Sequence, residues 1–497
     1  MNLIEEYILK NKRIFDKKVE YIKQETNVNK KLISVKKLVR FSVFNEIPYF
    51  SSADLENELL SISDSIESSD TLNDYEKNSV LHVMTEAKQY GGHTRVVERW
   101  IEKSPDNQKH SVILTDQILK KQIPKELQNN VNKKNGQIFD LSYIKDFIDK
   151  AKKLREIASK YEYIILHINM DDIIPILAFG TVKFKRPIAF YNHADHLFWL
   201  GVSISDLVIN LRTVAVNINK KYRKTINDIL IPLPVTCGAD KKNNRSDDDI
   251  KTIKKELGIP INNKVIITMA SPYKYNPIDN YNFIETVKKI FSKVDNVTLL
   301  AIGPSVKNKI WKVAKKDTNN RILPIGYVDN SKLDKYLKIA DIAFDSFPYS
   351  SFLSLLDISQ YNIPCLSLKT LVFELDSFIE ANIYCNTQEE FIDKAVKLLQ
   401  SNCVNSDSSL YKILLKYHSA DTFKANLEYV YNIFPKEHKL NIFTNDNNIE
   451  ISKFKQFICK INISKNDTKT KLEKFLKQRK DNKLIRLLYI FFNKLKG

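Results

Sequence analysis

Two stretches of this 497-residue chain gather side chains able to do chemistry. The first is Tyr191-Asn192-His193-Ala194-Asp195-His196-Leu197-Phe198-Trp199, where two of the eight histidines stand three apart with an aspartate between them. It follows an apolar run of strand type, and the end of such a strand is where a general base sits to take a proton from an acceptor hydroxyl. His193 is the first candidate for that base, with Asp195 and His93 in reserve. Two other readings fit the same residues. One is a buried, hydrogen-bonded structural histidine; the other is a metal set of His193, Asp195 and His196, which lacks further ligands nearby. His167 and the pair Asp171-Asp172 close another strand and point to the same region, without a DxD metal setting.

The second stretch is Ala340–Leu368, ADIAFDSFPYSSFLSLLDISQYNIPCLSL. A strand ends near Asp345, a loop carries Pro348-Tyr349-Ser350-Ser351, and a helix follows. Helix N-termini offer unpaired N–H groups and partial positive charge, which suits a diphosphate. Asp357 lies further along that helix, where a carboxylate can accept both hydroxyls of a nucleotide ribose. The plain alternative makes the serines ordinary caps and Asp357 a surface acid. Ahead of both stretches, Gly91-Gly92 follows a strand and opens a helix, and glycines there let backbone N–H groups approach a phosphate.

These residues need elements to hold them. From residue 79, predicted strands at Ser79–Met84, Ser111–Leu114, Gln137–Leu141, Tyr163–Ile168, Pro187–Tyr191 and Leu207–Asn210 alternate with helical runs. After the rigid Ile231-Pro232-Leu233-Pro234 a second series begins, with strands at Val265–Met269, Val297–Ile302, Arg321–Pro324, Ile342–Phe344 and Cys365–Leu368. Such alternation signals parallel sheets wrapped by helices, because parallel strands need crossover connections. The expected division is a helical extension over 1–75, with a solvated run at Ser61–Asp70, then doubly wound domains over 76–233 and 234–400. Return helices over 401–440 and a basic amphipathic tail over 441–497 complete it.

Composition narrows the class. At 43% hydrophobic and 28% charged residues, the chain can bury a real core. No run of about 18 apolar residues occurs, so no bilayer-spanning helix is expected, and the N-terminus lacks the pattern of a secretory signal. Five scattered cysteines without CxxC spacing fit neither a disulfide framework nor a zinc ribbon, and point to a reducing cytoplasm. Of the net charge of +19, residues 453–496 supply 14 Lys/Arg against three acids. Interleaved with Leu472, Phe475, Leu476, Leu484 and Leu488, they suit a helix lying on an anionic leaflet, worth about 1 kcal/mol per basic residue. They equally suit a helix packed on the body with a solvated basic face. With no reader fold in evidence, nucleic acid is not an expected partner.

The second stretch resembles the donor-binding region of GT-B glycosyltransferases. Asp357-Ile358-Ser359-Gln360-Tyr361-Asn362-Ile363-Pro364 matches the acid–x5–hydrophobe–Pro end of that region's motif. The retaining family-4 enzymes open it with a Glu eight residues earlier, where this chain has Tyr349, a departure that leans toward inverting chemistry. Asp345-Ser346-Phe347-Pro348-Tyr349 is similar to the strand–Asp–x–Phe–Pro–Tyr of O-GlcNAc transferase and its bacterial relatives. Their Gly-His-Thr-Thr turn is replaced by Ser351-Phe352-Leu353-Ser354, in which Ser354 keeps one hydroxyl. Ala270-Ser271-Pro272-Tyr273-Lys274-Tyr275-Asn276-Pro277 is similar to the family's loop with a lysine two residues before Asn-Pro. The resemblance implies that Lys274 neutralises the leaving nucleoside diphosphate. Ile302-Gly303-Pro304 and Ile325-Gly326-Tyr327-Val328 resemble its further punctuation, implying that Tyr327 and Val328 grip the base, mostly through backbone. Gly91-Gly92 and His193 fall where many such enzymes carry a glycine pair and a functional histidine.

The resemblance covers about residues 262–370. It implies a GT-B fold of two Rossmann-like, doubly wound α/β domains facing a cleft, with a helical N-terminal and a basic C-terminal extension. It further implies a cytoplasmic hexosyltransferase that draws on a nucleotide-sugar, UDP-linked, with Ser350, Ser351 and Ser354 around the diphosphate. The acceptor is a glycan, a lipid or a protein in cell-surface polysaccharide or glycoconjugate synthesis, at the inner face of the membrane. No metal and no cofactor are expected, since this fold class relies on Lys, Arg and helix dipoles. The rival is a non-catalytic GT-B-like subunit that binds glycans or stabilises a partner, supported by Phe352 and Leu353 where polar ligands are expected.

Overall fold

The computed structural model describes residues 3–67, 74–89, 92–117, 123–233, 246–329, 332–370, 375–401, 409–445 and 451–464. The chain forms two compact units: the first runs through Leu233 and resumes from Lys424 to Cys459, and the second takes the chain between them.

In the first unit, β1 (Glu76–Met84), β2 (Lys109–Leu114), β3 (Ile138–Asp140), β4 (Tyr161–His167), β5 (Ile188–Tyr191), β6 (Leu207–Asn210) and β7 (Asp228–Leu230) form one sheet. Their order is β3-β2-β1-β4-β5-β6-β7, and every neighbouring pair is parallel. Val80–Met84, Val112–Leu114 and Ile164–Leu166 are buried, as strands covered on both faces require. Register pairs Met84 with His167 across β1 and β4.

One face of this sheet is covered by the N-terminal helices Leu3–Gln24, Val28–Phe44 and Ala53–Ser65 together with Phe147–Ala158 and Ile174–Phe179. Phe15, Val19, Leu32, Leu59 and Ile62 share a core with Leu81, Val83, Ile164 and Leu166. The N-terminal helices are thus part of the sheet's core. The expected solvated run at Ser61–Asp70 is corrected at Ile62, Ser63 and Ile66, which are buried; residues 68–70 of it lie outside the described residues. Leu55, Leu59, Ile62 and Ile66 recur at helical spacing and are buried, while Ser61, Asp64, Ser65 and Glu67 stay exposed. Ser63 is buried, donating from Oγ to Leu177 O at 2.8 Å while its own carbonyl accepts from Arg155 Nη2 at 2.9 Å. The opposite face carries Met84, Val112 and Leu114 beneath Val97 and Ile101 of the helix Gly92–Lys103 and Leu127 and Val131 of the helix Lys125–Lys133.

In the second unit, β8 (Lys264–Met269), β9 (Val297–Ile302), β10 (Ile322–Gly326), β11 (Ile342–Phe344), β12 (Cys365–Leu368) and β13 (Tyr384–Cys385) follow the order β10-β9-β8-β11-β12-β13. All pairs are parallel, with an apolar core on each face. The helices Phe283–Phe291 and Gln388–Gln400 start where side chains cap them: Asn282 accepts from Glu285 N at 3.2 Å and Thr387 from Glu390 N at 3.1 Å. The strands β7 and β13 have no counterpart in the sequence-based expectation.

Among the described residues no helix is long and apolar enough to cross a membrane. The helix Lys453–Ser464 buries Phe457, Ile458 and Cys459. Its Lys455 is buried as well, with Nζ 3.5 Å from Glu46 Oε2 and 4.2 Å over the Phe50 ring. The start of the basic segment is therefore packed, and Lys455 is not on a solvated face. The remainder of the expected tail, from 465 onward, lies outside the described residues, as do Cys237 and Cys403. Cys365, Cys385 and Cys459 are buried free thiols.

Packing of the N-terminal helices generates a test. Phe15→Ala should cost the first unit about 3–5 kcal/mol in denaturant unfolding; a loss under about 0.5 kcal/mol would mean a detached helix.

Candidate functional site

In a doubly wound sheet, ligands bind at the carboxyl edge where neighbouring strands send their crossovers in opposite directions. In the second unit that point lies between β8 and β11. The loops leaving these strands are tied together around Asp345, which is buried just past β11. Its carboxylate accepts from Ser346 N at 2.8 Å, Ser351 N at 2.9 Å and Ser367 Oγ at 2.8 Å, and from the Ser350 hydroxyl. Burial pushes this carboxyl up, against Ser350, Ser351, Ser367 and the Lys274 charge, which favour its ionised form. From the β8 side, Lys274 donates from Nζ to Ser350 O at 2.8 Å and stands 4.6 Å over the Tyr349 ring. Ser351 Oγ donates to Met269 O at 2.9 Å. Lys274, Ser350 and Ser351 are therefore brought together, with both serine hydroxyls engaged inside the loop.

Behind Ser351 runs the helix Phe352–Ser359. Ser354 N donates to Ser351 O at 2.7 Å. Asp357 is exposed on that helix, and Leu353, in its first turn, is 44% exposed. Tyr327 follows β10 at 80% exposure, while Val328 packs on the core. With β9 between β10 and β8, this pair stands one strand away from the Lys274 loop. Gly303 stitches these strand ends together: its N–H donates to Gly326 O at 2.8 Å, and Gly326 N donates to Pro304 O at 2.6 Å. Its φ is +102°, and a Cβ there would meet Ala270 O at 2.1 Å. Only glycine fits.

In the first unit the same edge lies between β1 and β4. His193, past β5, is part-buried and stacks on His93 with ring centroids 3.9 Å apart. His93 is the second residue of the helix opened by Gly92; Gly91 lies outside the described residues. Behind them, imidazoles form a file: His193 Nε2 lies 3.1 Å from His167 Nδ1, His167 Nε2 3.2 Å from His82 Nδ1, and His82 Nε2 3.0 Å from His110 Nδ1. His110 Nε2 ends it, 3.0 Å from Gln108 Oε1. Burial, aided by neighbouring His and Lys charges, holds His110, His167 and His193 well below the usual histidine range. Burial alone takes His82 down to about 3, and burial with Lys88 takes His93 down to about 4.

Asp195 serves differently from its neighbour. Arg212 donates to it from Nε at 2.6 Å and from Nη2 at 2.7 Å, and His196 Nδ1 lies 3.3 Å away. Burial works to raise this carboxyl, but Arg212 and His196 prevail and hold it well below the usual range. A carboxylate so engaged is a weak base, and the pairing also takes it from the metal set read with His193 and His196. Asp172 accepts from Thr85 Oγ1 at 2.7 Å and from the Thr115 hydroxyl, and Asp171 pairs with Arg40. Among the described residues no group of three or more His, Cys, Asp or Glu is arranged to hold a metal ion.

Sequence reasoning found His193, His93 and His167 but attached no role to His82, His110, Gln108 or Asp345. A signal for the first two was present: strand histidines recurring in neighbouring apolar runs, where an unpaired imidazole would be costly.

Two doubly wound units in tandem, one with a seven-stranded and one with a six-stranded parallel sheet, define the GT-B fold. Solved glycosyltransferases carry the same fold. A glycosyltransferase from Rickettsia africae is similar over 72% of this chain and 98% of its own, at 13% identity and a TM-score of 0.54. A mutant O-GlcNAc transferase of Thermobaculum terrenum is similar over 81% of this chain and 80% of its own, at 12% identity and a TM-score of 0.51. HepE of Anabaena, solved with UDP-glucose, is similar over 71% and 99%, at 14% identity and a TM-score of 0.50. No family model and no curated protein sequence matches the chain.

The imidazoles make acid stability a readout. Each is neutral when folded but takes a proton near pH 6.5 once unfolded, so the unfolded chain binds more protons and stability falls as pH drops below about 6.5. Each histidine contributes about 1.4 kcal/mol per pH unit. Urea unfolding of the first unit between pH 7.5 and 5.5 should show a slope several times that of one histidine; a flat profile would mean solvated rings. Arg212→Leu should cost about 3–5 kcal/mol at pH 7 by leaving Asp195 buried without its arginine. With only His196 left to oppose burial, the carboxyl moves up, so that deficit should shrink on acidification toward pH 5.

Proposed function

We propose that this protein is a glycosyltransferase that moves a sugar from a UDP-linked donor to a glycan, lipid-linked or protein acceptor. The observation that carries the reading is the joining of the β8 and β11 loops, which holds the Lys274 ammonium beside the start of the helix Phe352–Ser359. Negative charge develops on a leaving diphosphate, and a fixed cation beside a helix N-terminus lowers that cost. HepE, which has this fold, was solved with UDP and with UDP-glucose, which supports a nucleotide-sugar donor and uracil as its base. In this reading Asp357 holds the ribose, Tyr327 and Val328 border the base, and Ser354 with the backbone behind Ser351 meets the diphosphate. His193 takes the acceptor's proton, with His93 stacked on it and Gly92 opening the helix alongside. Chemistry of this kind needs one base, which accords with inversion. Work on cell-surface polysaccharide or glycoconjugate, by a cytoplasmic enzyme at the inner membrane face without metal or cofactor, completes the proposal.

One observation favours the second reading, a non-catalytic GT-B-like subunit that binds glycans or stabilises a partner. The Ser350 and Ser351 hydroxyls are drawn inward by Asp345 and Met269 O, and exposed Leu353 occupies the helix's first turn. A thermal-shift and calorimetric panel of UDP, GDP, CMP, TDP and their sugars separates the two. One nucleotide should raise the melting temperature of the wild type, and Asp357→Ala should lose that response. Lys274→Met should lower kcat by about 10²–10³-fold. Failure of every nucleotide to bind, with acceptor present, would leave the subunit reading standing and the transferase reading refuted.

A further inference from the structure

The file of imidazoles is more than a way of burying histidines. Register places His110 opposite Val80 and His82 opposite both Val112 and Ile165, while His167 lies opposite Met84. Residues opposed in register share a face, and so do Val80, His82 and Met84 at alternate positions of one strand. The three strand histidines therefore climb one face diagonally, two residues per strand, from the start of β2 to the end of β4. His193 continues the line beyond β5. Trp100 covers the file edge-on, with centroids 5.9 Å from His82 and 6.1 Å from His167. Tyr191 lies against His167 at 5.3 Å and His193 at 4.5 Å.

Hydrogen bonding gives the file a direction. A neutral imidazole has one N–H and one lone pair, so each ring that donates on one side must accept on the other. Gln108 Oε1 only accepts. His110 therefore donates from Nε2 to it, and its Nδ1 accepts from His82 Nε2. In turn, His82 Nδ1 accepts from His167 Nε2, and His167 Nδ1 accepts from His193 Nε2. The last ring is left with its lone pair on Nδ1, where no hydrogen bond is made among the described residues.

We propose that Gln108, His110, His82 and His167 are positioning residues that lock His193 as its Nε2–H tautomer, so that Nδ1 presents a lone pair as the base. The chemical meaning of the lock rests on the reading of His193 given above; the lock itself is a property of the first unit. In the reaction, the acceptor O–H bond breaks and its proton joins His193 Nδ1. The oxygen's electron pair forms the new bond to the sugar carbon as the nucleoside diphosphate leaves with its own pair. The resulting imidazolium keeps its Nε2–H bond to His167. Proton hops along the file end at His110, because an amide oxygen does not take the proton, so the file orients the base without exporting the proton. The proton leaves from the His193 end.

The test needs no substrate. In the full chain labelled with ¹⁵N-histidine, two-bond ¹H–¹⁵N correlation spectra distinguish the two neutral tautomers from imidazolium. The expected wild-type result is Nε2–H for His82, His110, His167 and His193. Gln108→Met, which removes the acceptor, should let His193 sample both tautomers, and Gln108→Glu, an acceptor of similar reach, should restore one. In an acceptor assay, Gln108→Met should lower kcat about tenfold with the donor KM unchanged. A wild-type His193 found as Nδ1–H or imidazolium overturns the proposal without recourse to any variant. So does a His193 tautomer that Gln108→Met leaves unmoved. A locked tautomer in a protein whose His193→Ala variant keeps full turnover would uphold the lock and refute the base.

Discussion

Within each unit, two neighbouring parallel strands send their crossovers away from each other, and the polar groups at the edge between them must be satisfied without a helix packed above. Both units meet this constraint with an aspartate that collects hydroxyls. In the first, Asp172 accepts from Thr85 and Thr115, which follow β1 and β2. In the second, Asp345 accepts from Ser350 and Ser367 and from the Ser351 amide. Each carboxylate ties strand ends together and leaves the loops beyond them at fixed positions. Lys274 stands on a loop held in this way, whereas the loop of His193, past β5, is held by Arg212 on Asp195 and by Arg223 on Asp195 O and Leu197 O.

The other recurring expense is buried polarity. Arg223 is fully buried, donating to Asp195 O at 2.9 Å and Leu197 O at 2.6 Å, with its guanidinium 4.5 Å over the Trp199 ring. Burial pulls it down to about 9. Together with the Arg212–Asp195 pair it shapes the run from Tyr191 to Trp199 from beneath. Ions and imidazoles taken out of water cost free energy that apolar residues would not. What they secure is a single loop conformation and a single hydrogen-bond order, because each group has few ways to be satisfied once buried.

Much of the fold was legible residue by residue. The β-branched runs at Val80–Met84, Ile164–Leu166 and Val297–Ile302 announce buried parallel strands, and the change after Pro234 separates two series of them. The glycines of Ile302-Gly303-Pro304 and Ile325-Gly326-Tyr327 read as punctuation because a backbone at positive φ tolerates little else. Other parts were hidden. The run from Ser61 looked solvated because serines and acids outnumber its apolar residues, and only the sheet beneath Ile62 and Ile66 shows what they cover. Lys455 read as one more basic tail residue until Glu46, distant in sequence, appeared beside it.

The candidate sites divide along the same line. Local spacing determined that His193 follows a strand, that Lys274 lies in a loop before Asn276-Pro277, and that Ser351 precedes a helix, because these depend only on neighbours along the chain. Tertiary structure alone decided which of those groups keep their lone pairs. Asp195 loses its own to Arg212, 17 residues on, Ser350 turns inward to Asp345, and the meeting of the imidazoles follows from β2, β1 and β4 lying side by side. A hydrogen bond between strands depends on register and face, and neither is set until the sheet has formed.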